Sequence, residues 1–217
     1  MSSKIILTGV VGLFASILVG IGEYLLHYDS LARFSEGGFV FMRGIGEHRT
    51  TIGHFFGVFG ATLYPVGCYH IYLMLRPANQ LVALTAFFVG SFGCIVGAVW
   101  IGSRASVSAL TQLPETEEVM HLIQLYDLRY ETLINVTRIT TLVLSAIFIF
   151  LSLTGRSYYK RWAAIFSPIA LIIACFVIYL VIPQVGKHLM PIALNVAFFI
   201  FFILSIIQAP SAANSKA

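Results

Sequence analysis

Charge is what this chain is short of. Only 10% of its 217 residues are Asp, Glu, Lys or Arg, against about 25% in soluble domains, while 59% are hydrophobic. One water-soluble core cannot hide that much apolar surface, so a soluble globule is excluded. Basic runs are missing as well. The 13 Lys and Arg never cluster into a patch, which removes the footprint of a nucleic-acid binder despite a net charge of +4. Anionic lipid headgroups are the partners that such scattered positive charge fits. Cysteine is scarce: Cys68, Cys94 and Cys175 lie inside apolar stretches and share no C-x-x-C spacing, so they read as small core residues. No H-E-x-x-H or H-x-x-x-H pair, internal repeat or low-complexity segment occurs.

Long apolar runs, in contrast, dominate. Six are of spanning length: Ile5 to His27, Ile52 to Leu75, Leu81 to Ile101, Leu133 to Leu153, Ala163 to Ile182 and Met190 to Ile207. About 20 apolar residues make one helical crossing of a hydrocarbon core ~30 Å thick. A β-barrel would need short segments of alternating polarity instead. The first run is too long for a signal peptide and lacks a small-residue cleavage site. The chain is therefore expected to be all-α, a polytopic membrane protein built as a six-transmembrane-helix bundle. One domain would cover residues 1–210, with a short polar tail over 211–217.

Small residues recur at helical spacing: Gly12, Ser16 and Gly20, then Gly53, Gly57 and Ala61, then Gly93 and Gly97. Such stripes let helix backbones approach closely in lipid and should face the bundle interior. Pro65 and Pro168 are expected to kink helices two and five. Two connections are long. Tyr28 to Thr51 carries Phe39, Phe41, Met42 and Ile45 among charges, which suits a segment that lies at the interface or covers a pocket. In the second, Pro114 followed by Glu115 and Glu117 reads as a helix start, so helix four should begin outside the bilayer.

Counting residues by side exposes an asymmetry. With the amino terminus on side one, that side receives six Lys and Arg and no acid, whereas all nine acids and five of the six histidines fall on side two. The density of basic residues in the short side-one segments favours both termini in the cytoplasm. Several polar groups sit on the helices themselves. Gly12, Ser16, Gly20, Glu23 and His27 advance by four, four, three and four residues, which turns Glu23 and His27 inward. Asp127, Glu131, Asn135 and Arg138 form a stripe on helix four, and Glu131 is one candidate partner for Arg138. His188 and Asn195, seven apart, share a face.

Ionisable residues within a span mark a functional site by default. A polar cavity opening to side two is expected, with Glu23, His27 and Glu131 as acid–base groups and Arg138, Asn135, Asn195 and Asp127 binding a substrate. His27, His54 and His188 are candidate ligands for zinc, iron or manganese, which would lower the pKa of a bound water to ~7. The alternatives are metal-free acid–base catalysis on a lipid, or a binder or proton-coupled carrier of an amphipathic or anionic solute. In each case the partners are membrane lipids and a small amphipathic molecule.

The run His54, Phe55, Gly57, Gly60, Leu63, Tyr64, Gly67, Tyr69, His70, Ile71, Tyr72 and Leu73, with Gly22, Glu23, Leu25 and Leu26, resembles domain-of-unknown-function families of small bacterial multi-helix membrane proteins. It covers about two of the six expected helices and implies only the multi-helix architecture. The H-x-x-x-H pair that marks ceramidase-like hydrolases on a late helix is missing, since His188 is the single histidine there.

Overall fold

The computed structural model describes residues 2–34 and 36–209, and every regular element among them is helical. The helices are α1 (Ser2–His27), α2 (Glu47–Leu75), α3 (Gln80–Leu110), α4 (Glu117–Leu153), α5 (Pro168–Val181), α6 (Pro183–Leu189) and α7 (Ala193–Gln208). Short 3-10 turns cover Val40–Met42, Arg161–Phe166 and Met190–Ile192. Five stretches among the described residues are long and apolar enough to cross a membrane: Ser3–His27, Glu47–Leu75, Gln80–Leu110, Glu117–Leu153 and Pro183–Gln208. The expected polar tail, 211–217, lies outside the described residues.

The fifth expected span does not run as one helix. Ser167 is extended and Pro168 occupies the first turn of α5, where its missing N–H costs nothing. Pro168 thus starts a 14-residue helix after the 3-10 turn and does not kink a longer one. The sixth span begins earlier than expected, since α6, the Met190–Ile192 turn and α7 follow one another without a loop. Helix four behaves as its sequence suggests: Thr116 caps α4 by accepting from the Val119 amide, with Glu117 and Glu118 in the first turn. At 37 residues, α4 is ~55 Å long and must project beyond a ~30 Å core.

The glycine stripes pair α1 with α2 in antiparallel fashion. A Cβ at Gly12 would come within 2.9 Å of the Gly67 Cα, and one at Gly22 would strike the backbone of Gly53 and Gly57. Backbones this close leave room for nothing larger. Helices α3 and α4 continue the bundle beside α2, and α7 packs on the other side of α1. A cluster of Phe148, Phe198, Phe201 and Phe202 fills the centre.

Between α1 and α2 the described residues 28–34 and 36–46 form a strap across one end of the bundle. Phe39, Phe41, Met42 and Ile45 are buried in it, packed with Val107 of α3 and Ile123 of α4, so it covers the bundle and does not simply lie on a surface. Gln112 ties it down by donating to the Met42 carbonyl (2.9 Å) and accepting from the Gly44 amide (3.1 Å). At the opposite end His70, the one histidine assigned to side one, is wholly buried. Its Nδ1–H donates to the Ile5 carbonyl (2.7 Å) and its Nε2 pairs with Ser205 Oγ (2.6 Å), which also meets the Tyr159 hydroxyl (2.7 Å).

Candidate functional site

The inward face of α1 carries Ser16, Glu23 and His27 into the bundle, and all three are buried. Glu23 accepts a hydrogen bond from Asn195 Nδ2 of α7, and Asn195 Oδ1 accepts from the Tyr64 hydroxyl of α2 at 2.6 Å. One polar relay thus joins three helices. One turn further along, His27 Nε2 accepts from Arg104 Nε of α3 at 2.9 Å.

These groups border a cavity of about 680 Å³. Its wall is mostly apolar, with Val19, Ala61, Gly90, Leu144, Ile172 and Phe198 along it. The polar residues Glu23, His27, Tyr64 and Asn195 lie in the same wall, together with Trp100 and Tyr130. Ile139 and Leu142 of α4 and Ile173 and Phe176 of α5 also line it, and all four are exposed on the outer surface. The mouth therefore lies along the seam of α4 and α5, on the apolar flank of the bundle. Ser145 Oγ holds the two helices together near their packed ends by accepting from the Ile169 amide at 3.1 Å.

Arg104 stands just behind this wall and is completely buried. Three aromatic rings surround its guanidinium, with Cζ 4.2 Å from the Tyr130 centroid, 4.7 Å from Phe39 and 5.5 Å from Trp100. Its Nη2 reaches only the Met42 sulfur, at 3.7 Å, and its Nη1 has no partner. None of the ion pairs among the described residues includes it. Trp100 Nε1 is likewise buried without a partner.

Of the residues singled out from the sequence, Glu23, His27, Asn195 and Arg138 come together in the cavity wall. The remaining ones do not. Arg138 is 61% exposed at the mouth and pairs with Glu131 at 3.5 Å, itself 50% exposed, while its Nη1 also donates to Asn135. Asp127 is half-buried outside the wall. The polar stripe on α4 reaches the cavity only through Arg138 at the mouth, because Tyr130, Ile134, Thr137 and Thr141 take the inward phase.

The expected metal set is not assembled. His27 is engaged by Arg104, His54 packs against Phe55 with its Nδ1 unpartnered, and His188 stacks on Tyr28 and bonds Tyr24. No group of three His, Cys, Asp or Glu among the described residues is arranged to hold a metal ion. Sequence reasoning missed Arg104, Tyr64, Trp100 and Tyr130. Arg104 had a signal: Ile101, Arg104 and Ser108 extend the buried face of α3 at helical spacing past the last long apolar run.

A family model described as a family of unknown function (DUF6796) matches residues 1–212. No curated protein and no solved structure matches the chain.

Proposed function

The chain belongs to the family of unknown function DUF6796, and we propose that it binds an amphipathic molecule taken up sideways from the membrane. The observation that carries this reading is the cavity of about 680 Å³ whose lining runs from exposed apolar residues of α4 and α5 to Glu23, Asn195 and Tyr64. That gradient suits a molecule with one apolar and one polar end, and the volume falls within the range of small-molecule sites, ~300–1,000 Å³. The basic fringe on the amino-terminal side supports cytoplasmic termini, with the polar end of the cavity towards the opposite face.

Gly97 provides the test. It lines the cavity, and a Cβ there would meet nothing nearer than Thr137 Oγ1 at 3.9 Å, so Gly97→Phe starts a bulky side chain from an open position in the wall. A photoactivatable medium-chain amphiphile in lipid nanodiscs is expected to label α4 and α5 of the wild type. Labelling of the Gly97→Phe variant should fall by most of its value. Undiminished labelling in a folded variant would remove the cavity from the reading.

Acid–base chemistry on the bound molecule is the second reading, favoured by the Glu23 carboxyl standing in the wall itself. Glu23→Gln separates the two. A chemical change of the amphiphile by the wild type that is lost in Glu23→Gln while labelling is retained marks an enzyme, and an amphiphile left unchanged by both proteins marks a binder.

A further inference from the structure

The Arg104 guanidinium is buried with no carboxylate among the described residues in direct contact, Glu23 and Asp127 acting on it only from a distance, and burial of a charge without a contacting partner in a membrane-spanning helix is costly. We propose that Arg104 receives the anionic head of the bound amphiphile, and that this head is a carboxylate. The inference rests on the uptake of an amphiphile into the cavity and adds the chemistry of its polar end.

Three observations carry it. The side chain has donors to spare: Nε is committed to His27, but Nη1 has no partner and Nη2 meets only a thioether sulfur at 3.7 Å. Sulfur is a weak acceptor, so the Met42 contact is one that a carboxylate oxygen readily displaces. The two terminal nitrogens then form the fork that matches the two oxygens of a carboxylate.

The surroundings favour a flat head. Tyr130, Phe39 and Trp100 crowd the guanidinium with their rings, which leaves a slot better suited to a planar carboxylate than to a tetrahedral phosphate. Trp100 Nε1, also buried and unpartnered, is a neutral donor in the same neighbourhood.

A route is present too. His27, Trp100 and Tyr130 touch Arg104 and also line the cavity, so a single layer of side chains separates the two. Phe34 and Phe41 of the strap line the same cavity, while Phe39 and Met42 of that strap cover the guanidinium. Phe39 holds a left-handed backbone, φ 56°, which a bulky residue rarely adopts. Strain of this kind gathers at ligand clamps. A small shift of the strap withdraws Met42 and Phe39 from the fork, and displacement of the Trp100 or Tyr130 ring joins it to the cavity.

The experiment uses the full-length protein in nanodiscs of neutral phosphatidylcholine. Trp162→Phe leaves Trp100 as the single tryptophan of the two, a reporter in the cavity wall. A medium-chain fatty acid brominated at its far end, and the alcohol of equal chain length, are titrated as quenchers at a pH that ionises the acid. The acid is expected to bind about ten- to a hundredfold more tightly than the alcohol, the range of a charge-assisted hydrogen bond. Arg104→Gln should abolish that preference and Arg104→Lys should keep only part of it. Met42→Leu, which removes the competing sulfur, should leave it intact or raise it.

Equal binding of acid and alcohol by the Trp162→Phe protein overturns the carboxylate assignment while leaving uptake of an amphiphile standing. Absence of quenching by either overturns both. The comparison within one protein needs no Arg104 variant to fold.

Discussion

Ser205 stands in the middle of a directed relay. The Ile5 carbonyl can only accept, so the neutral His70 ring carries its proton on Nδ1 and accepts at Nε2 from the Ser205 hydroxyl, which in turn accepts from Tyr159. All three side chains are buried. Ser205→Ala strips a partner from both neighbours, and each orphaned group costs about 1–3 kcal/mol. Tyr159→Phe removes only the outermost donor and leaves the Ser205–His70 bond in place. In thermal unfolding in detergent, Ser205→Ala should therefore lose clearly more stability than Tyr159→Phe. The reverse order would mean that the relay runs another way.

The strap is an element whose hold depends on acidity. Arg33 grips Asp29 through Nε at 2.8 Å and Nη2 at 3.0 Å, and its own amide donates to the same carboxylate. The hydrogen bonds from the Arg33 side chain hold Asp29 below its ordinary value of 3.8. A depressed carboxyl stabilises the fold fully above that ordinary value, and the contribution disappears as the pH falls through the lower folded value. Amide protection across residues 28–34, taken relative to the intrinsic exchange rate at each pH, should thus fall on acidification below about 3.8, and Asp29→Asn should show low protection at all pH values. If the variant and the wild type respond to acid alike, Asp29 is not the anchor.

The helices themselves were legible because long apolar runs have few other solutions, and the inward turn of Glu23 and His27 followed from the glycine stripe beneath them. Where the runs end was less legible. Arg104 closes the apolar stretch of α3 as a charge, and only burial against three rings explains why the helix continues through it. The α4 stripe was visible as a stripe, but its rotation against the cavity is fixed by Tyr130 and Ile134, whose apolar character does not distinguish an inner from a lipid-facing position. Aromatic cavity residues such as Tyr64 and Trp100 suffer the same ambiguity.

At the scale of the molecule, the bundle is uneven in length. The α3 and α4 helices, with 31 and 37 residues, exceed a ~30 Å core, whereas α5 has 14 and reaches only ~21 Å. The short helix forms one lip of the cavity mouth. A bilayer next to that lip must thin or leave part of the seam uncovered, at a cost of fractions of a kcal/mol per Å of mismatch. On the proposed sideways uptake, host lipid thickness becomes a control: labelling by the photoactivatable amphiphile should change steadily as the acyl chains of the nanodisc are lengthened, and a flat response would detach α5 from the entrance. The protein would then act as a gauge of its surroundings, loading differently in thin and thick regions of the same membrane with no change in its own sequence or in the concentration of what it carries.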